Sequence, residues 1–580
     1  MKSKPNWKII LFFAIIALAV FLRVSNFSDW LFFKMDQARD ASTIRQALEL
    51  GPGWLPLLGP KAGGTDLNLG PAFYYFQYAA AVLFQSAHPA VLAFPDLLFG
   101  ILSIPLFYVF SKKYFSRDWS MILASLYAVC FLGVQYSRFA WNPNGLVFFN
   151  LLFFFSLLNV FDLPCATSLA KNKQDKEIPH PVEKGKTVRG EGIKYRLRWV
   201  VLAGFSFAVS TQLHFLSFLT LPVITVLFII FNWKYARKAL NWKYILLFLA
   251  IVLLVYIPVI LNEIASKGEN TRQFMLALKE KPSAHSFWKN VNRDVRYWGQ
   301  NWLLILTSWI SRKSGISSAA LAWLGAILPA LYVGLRSFRQ EKNLVKKNFI
   351  LVSLLWFLVY FLTYIPVAYQ IRPRFFLPLL GLPFIFAGYI ATLFWRKRHA
   401  FWKVCVAAVL LVIFFGNLVG TFAWFKEIEA AQKKGTYPRR TIILKAKDGI
   451  VLWHLEKATE YMEKNCSEKE VYYNAPAEYK RPVKYLLEQK GIKAISISSL
   501  KTGDEEKCVF AMGLTRTKKL PIDKKIQAEF EAGEQNKIGA VGVYKLALKE
   551  NFAGQLLPTY KSAGEENEKS NRIFWKDLWK

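Results

Sequence analysis

The stretch FFKMDQARDAS (residues 32–42) sets Asp36, Arg39 and Asp40 within five positions. On a helix, Asp36 and Asp40 lie one turn apart on a single face, with Arg39 beside both. A guanidinium one turn from a carboxylate holds it ionised and oriented, as a general base must be to take a proton from a hydroxyl. The plain alternative is an ion pair at a helix start.

A second group, YQIRPRF, puts Arg372 and Arg374 on either side of Pro373, with Tyr369 close by. Two planar, permanently charged forks on a proline-stiffened turn suit a phosphate or pyrophosphate. The plain alternative is a pair of interfacial arginines on lipid head groups. A third group, GPKAGGTDLNLGPAFYYF (59–76), is a Gly-rich turn opening into an aromatic helix that carries Tyr74. Lys61, Asp66 and Asn68 are its candidates to line the same mouth. His214, beside Gln212, reads first as a packing or hydrogen-bonding residue and only second as a substrate contact. Arg138, Asn142 and Asn144 crowd the turn YSRFAWNPN, which serves equally well as a helix cap. No P-loop, nucleophile elbow or metal-ligand cluster of convincing spacing occurs. ATP-driven transport and a resident divalent metal therefore have no support in the sequence.

These groups need a scaffold, and the composition indicates a membrane one. The chain has 580 residues, 54% hydrophobic and 16% aromatic, with a mean hydropathy of +0.24. Its apolar residues come in blocks, several near the roughly 18–20 residues that cross a hydrocarbon core of about 30 Å. AVLAFPDLLFGILSIPLFYVF (90–110) and KYILLFLAIVLLVYIPVIL (243–261) are clear cases. IILFFAIIALAVFL (9–22) has no small-residue cleavage site after it and reads as a retained first helix. The net charge of +36 lies largely in short loops between apolar blocks. That is the positive-inside pattern, and it argues against a nucleic-acid partner.

Charge also orients the chain. MKSKPNWK, SKKYFSR (111–117), the loop 164–198, KYARK (234–238), RSFRQEKNLVKK (336–347) and RKRH (396–399) are all basic and belong inside. Eleven crossings satisfy this, at 8–24, 90–111, 119–136, 143–163, 199–214, 216–232, 242–264, 316–336, 349–367, 375–395 and 401–424. AFYYFQYAAAVLF (72–84) and NWLLILTSWI (301–310) then lie at the outer interface or dip part-way. The N-terminus is cytoplasmic. The first outer loop (24–89), the turns 136–144 and 367–376, the junction 210–215, the loop 265–315 and the tail from 425 face outside. The outer loop 265–300 is basic against the rule, so it either binds an anion or is translocated regardless of charge. The tail alternates helix-like LEKATEYMEK and AEYKRPVKYLLEQKG with strand-like EVYYNA, IKAISISS and CVFAMGL, the pattern of a small α/β domain. Cys466 and Cys508 pair if that domain is outside the cytoplasm; otherwise they are free thiols. The inner loop 164–198 is expected to be flexible. The last twenty or so residues, polar apart from a terminal IFWKDLW, are expected to be loosely ordered.

Taken in order, the acidic motif after helix one, the Gly/Pro step into an aromatic helix, RFAWNPN, TQLH and RPRFF resemble the GT-C superfamily of membrane glycosyltransferases. The resemblance runs over about 1–424 and is closest to the branch of protein O-mannosyltransferases and lipid A aminoarabinose transferases. It implies a polytopic α-helical plasma-membrane protein of about eleven transmembrane helices plus interfacial helices. A transmembrane domain (1–424) would precede a small extracytoplasmic α/β domain (425–580). Asp36 matches the catalytic Asp of the family's first outer loop, and Arg372 and Arg374 match the turn that meets the donor phosphate. The implied partners are a polyprenyl-phosphate sugar donor, a glycan, lipid or protein acceptor, and the bilayer. The oligosaccharyltransferase signature WWD does not occur, which disfavours en bloc transfer to Asn. The expected reaction moves one sugar to an acceptor hydroxyl with inversion. Arg39, Asp40, Lys61, Asp66, Asn68, Tyr74, Arg138, Asn142, His214 and Tyr369 are further candidates for substrate contact. The rival readings are a lipid-linked saccharide transporter or flippase, and an oligosaccharide polymerase or ligase.

Overall fold

The computed structural model describes residues 7–63, 65–162, 188–280, 286–310, 316–443, 446–500, 507–515, 529–549 and 572–579. It is a helical bundle carrying a small mixed sheet on its C-terminal tail. Helix α1 (Trp7–Val24) leads through a short loop to α2 (Met35–Leu50), which carries the DQARD motif, and then to α3 (Ala72–Phe84). Among the described residues, six helices are long and apolar enough to cross a membrane: Trp7–Val24, Pro89–Ser111, Trp242–Ala265, Ser317–Gln340, Leu344–Gln370 and Ala400–Lys434. A seventh is added if Pro373–Leu379 and Leu382–Trp395, bent by 59°, form one span. All eleven expected spans fall on helical segments, but length and apolarity alone qualify only these. Leu146–Phe161 and Phe215–Phe231 are shorter apolar helices.

The expected span 119–136 is broken at Cys130 into Arg117–Ala128 and Phe131–Tyr136. Backbone groups freed by a break inside a bundle need partners, because lipid offers none. Asn417 supplies one: its Oδ1 accepts the Phe131 N–H at 2.8 Å, while its Nδ2 donates to the Leu306 carbonyl near the end of another helix, Phe287–Thr307, at 2.7 Å. NWLLILTSWI is the end of a longer helix, Phe287–Thr307. Trp298 and Trp302 on that helix are fully buried against Phe357 and its neighbours. Within the stretch Trp302 is buried, while Trp309 at its end is exposed.

The tail forms the expected α/β unit and extends it. Strands β1 (Glu470–Asn474), β2 (Lys493–Ser496), β3 (Cys508–Leu514), β4 (Phe530–Ile538) and β5 (Val541–Leu548) form a sheet of order β2-β1-β3-β5-β4. The first three strands are parallel, and the β4–β5 hairpin closes antiparallel on β3. Cys466 and Cys508 are joined as a disulfide. At the hairpin turn Gly539 has φ +54°, and a β-carbon there would lie 2.0 Å from the Gln432 carbonyl oxygen. Only glycine allows that approach of the sheet to the helix Ala400–Lys434, which runs past residue 424 into the tail.

The tail also grips the loop between α1 and α2, and α2 itself. Leu452 N–H donates to Leu31 O at 2.8 Å, and Trp30 Nε1 donates to Gln432 Oε1 at 3.1 Å. Lys34 Nζ lies 2.8 Å from Asp448, and Arg45 lies 3.5 Å from Glu488. Most of the loop 164–198 and most of the polar C-terminal stretch lie outside the described residues. The terminal IFWKDLW packs against residues 54–57 and Tyr75, where loose order was expected.

Candidate active site

Chain direction turns at Lys34, whose backbone is extended before α2 begins. The Lys34 N–H donates to the Gln37 side chain at 3.2 Å, which ties the entry of the helix. Asp36 then falls in the first turn, half-exposed, where the positive end of the helix dipole favours a carboxylate. Arg39 joins both acids, at 3.4 Å from Asp36 Oδ1 and 2.9 Å from Asp40 Oδ1. Asp40 is buried and also accepts the Tyr74 hydroxyl at 2.8 Å. Burial raises the Asp40 pKa, with Arg39 and Tyr74 pulling the other way. Burial and the neighbouring Asp40 charge likewise push the Tyr74 phenol up. Asp40 and Tyr74 thus form the buried back of the site. They hold Arg39, and Arg39 holds the open Asp36.

Across from α2, Arg374 sits on the short turn Pro373–Leu379, which the Tyr364 hydroxyl pins by donating to the Phe375 carbonyl. Its guanidinium lies over the Trp141 ring at 4.8 Å and the Phe375 ring at 5.3 Å. Asp36, Arg372 and Tyr136 are within electrostatic reach of Arg374, and Arg374 is within reach of His214. A β-carbon on Gly63 would lie 3.7 Å from an Arg374 Nη, so the Gly-rich loop comes up to the same guanidinium. Arg372 is exposed, with Nη1 on the Ile371 carbonyl at 3.1 Å, and Tyr369 is half-buried in the preceding turn. The structure therefore gathers a carboxylate, two arginines, a tyrosine and an imidazole at one end of the bundle, beside the tail.

Other expected residues do different work. Arg138 is fully buried and donates to the carbonyls of Leu22, Arg23, Ser25 and Asn26 at 2.6–3.3 Å. It satisfies the open C-terminal end of α1. Asn142 donates to the Leu213 carbonyl at the end of the helix Val188–Leu213 at 2.8 Å, and Asn144 donates to the Phe139 carbonyl within its own turn at 2.7 Å. His214 accepts the Leu216 N–H at Nδ1 (3.2 Å) and stacks edge-on against Phe375, so it braces the arginine turn. Lys61 and Asp66 pair at 2.9 Å on the exposed tip of the Gly-rich loop, and Asn68 is held by Asn270. Asp96 accepts the Trp141 N–H at 2.8 Å and anchors the turn under Arg374. Trp141, Tyr136 and Gly63 were not singled out in the sequence. The aromatic in RFAWNPN was the one available signal.

Among the described residues, no three His, Cys, Asp or Glu side chains converge as metal ligands. No family model and no curated protein matches the chain. Solved structures do. ArnT from Cupriavidus metallidurans bound to undecaprenyl phosphate aligns over 95% of this chain and 100% of its own, at 11% identity and TM-score 0.54. The apo form of the same protein aligns over 94% and 98%, at 12% identity and TM-score 0.50. The Archaeoglobus fulgidus oligosaccharyltransferase tethered with an acceptor peptide aligns over 95% of this chain and 75% of its own, at 12% identity and TM-score 0.50. These structural neighbours are GT-C glycosyltransferases, and this chain shares their fold.

Proposed function

We propose that the protein is an integral-membrane glycosyltransferase that moves a single sugar from a polyprenyl-phosphate donor to an acceptor hydroxyl at the extracytoplasmic face. One observation supports this reading: the half-exposed Asp36 carboxylate and the Arg374 guanidinium, carried on different elements, are within electrostatic reach of each other. The lipid-phosphate donor class is suggested by the undecaprenyl phosphate of the similar ArnT structure. A donor of this class keeps its isoprenoid tail in hydrocarbon while its phosphate and sugar emerge at the end of the bundle.

In the proposed reaction the acceptor oxygen attacks the anomeric carbon as its proton passes to the Asp36 carboxylate. The bond from that carbon to the phosphate oxygen breaks, and polyprenyl phosphate leaves with the electron pair. Arg374, with Arg372 nearby, stabilises the charge gathering on the phosphate. A single displacement inverts the anomeric centre. Arg39 and Asp40 hold Asp36 in place and do not touch the sugar.

The eleven crossings, the cytoplasmic N-terminus, the plasma-membrane location and the division into domains at 424/425 belong to the same proposal. The Cys466–Cys508 disulfide supports an extracytoplasmic tail, since such bonds persist in oxidising compartments. The transporter reading called for ionisable residues in mid-span. Asp96, the main exception in the sequence, lies in the first turn of its helix, on the Trp141 turn at the arginine end. The test is to incubate the purified protein with labelled polyprenyl-phosphate sugars and a cell-envelope extract. Labelled product supports the reading; donor crossing of sealed vesicles without transfer would replace it with transport.

A further inference from the structure

The last described residues, 572–579, return to the first outer loop. Leu57 N–H donates to the Ile573 carbonyl at 3.0 Å, and Trp575 N–H donates to the Leu55 carbonyl at 3.2 Å, a short antiparallel rung. Trp575 Nε1 donates to the Tyr75 hydroxyl at 2.9 Å, and Phe574 packs on Trp54. This docking delivers one charge to the back of the site. Arg572 Nη1 donates to Thr43 Oγ1 at 3.2 Å, and its guanidinium lies 5.9 Å from the centre of the Tyr74 ring.

Both contacts lead to the DQARD motif. The Thr43 hydroxyl that accepts from Arg572 donates in turn to the Arg39 carbonyl at 3.1 Å. Tyr74, whose ring centre lies 5.9 Å from the Arg572 guanidinium, donates its hydroxyl to Asp40. Arg39 and Asp40 are bonded to each other, and Arg39 reaches Asp36. A residue at the far end of the chain thus touches the two groups that fix the orientation of the Asp36 turn.

We propose that Arg572 is a positioning residue for Asp36, and that the C-terminal segment latches onto the first outer loop to complete the site. The inference rests on the reading of Asp36 as general base. A shift of about 1 Å in a reacting group can lower a rate by two orders of magnitude, so a relay of this kind acts on turnover more than on binding.

The test uses the full-length purified protein and the transfer assay. Arg572→Ala should lower kcat about tenfold or more with the donor KM unchanged, and millimolar guanidinium should restore part of it. Thr43→Val should lower kcat in the same way, and the double variant should be little worse than either single one. Truncation after residue 571 should match Arg572→Ala but gain nothing from guanidinium alone. Wild-type kcat in Arg572→Ala, alongside an inactive Asp36→Asn, would overturn the latch and leave the general base standing. Transfer by Asp36→Asn would remove the reading on which the latch rests. If Arg572→Ala does not fold, Thr43→Val decides: wild-type kcat in that variant overturns the relay.

Discussion

Lys34 Nζ lies 2.8 Å from Asp448 Oδ2, bonding the residue two positions before Asp36 to the C-terminal tail. The Lys34 side chain is 8% exposed and that of Asp448 20%, so the pair is largely dry. Tyr479 closes it from above, with its ring 4.0 Å from the ammonium and its hydroxyl 2.6 Å from Asp448 Oδ2. The tail is thereby a structural support of the segment that carries the carboxylate.

Removing one partner of such a pair strands the other. Asp448→Ala should cost about 3 kcal/mol, the lower end of what breaking a buried pair costs. It should also expose the loop 29–34 to protease. The midpoint of thermal unfolding in detergent and limited proteolysis check this; an unchanged midpoint would mean that the tail does not hold the loop.

The arginine turn makes a different prediction. Arg374 is stacked on Trp141 as well as charged. Lysine keeps the charge but loses the planar fork and the stacking. Arg374→Lys should therefore weaken donor binding almost as much as Arg374→Ala, by about tenfold. Trp141→Phe should weaken it less. Titration with a labelled polyprenyl-phosphate sugar measures each.

Asp40 gives a pH dependence of stability. Burial raises its pKa in the folded protein. The folded state then takes up the proton at higher pH than the unfolded chain. The stability linked to Asp40 is present below its ordinary range near pH 4 and is lost as pH rises through the raised value. Asp40→Asn still accepts the Tyr74 hydroxyl but does not titrate. Its unfolding midpoint should vary less with pH than that of the wild type from about pH 4 upward.

The Cys466–Cys508 bond ties the end of one tail helix to β3 across 42 residues. Its loss through Cys466→Ser should destabilise the tail by about 2–4 kcal/mol. In intact cells both thiols should resist alkylation until a membrane-impermeant reductant is added. Ready alkylation without reduction would place the tail on the reducing side.

Residue types made part of this architecture readable. Asp36, Arg39 and Asp40 stand out because helical spacing puts them together, and the RPR turn stands out because its charge opposes the positive-inside rule. Periodicity showed the parallel half of the tail sheet but missed the hairpin, because FEAGEQNKI lacks clear apolar alternation. The crowded polar turn at Arg138 and Asn142 does not reveal that its donors reach the carbonyls at the ends of other helices. Lys34, Asp448 and Arg572 carried no local signal. Their partners lie hundreds of residues away, and only the folded chain brings them to one helix.

The central claim is that Asp36 takes the acceptor proton, and turnover and donor binding measured on Asp36→Asn test it most directly. Asparagine keeps the size and the Arg39 contact but removes the base. Transfer should fall by about 100-fold or more, the scale of general-base catalysis, while donor affinity stays within about twofold. Turnover close to the wild type with intact donor binding would contradict the account.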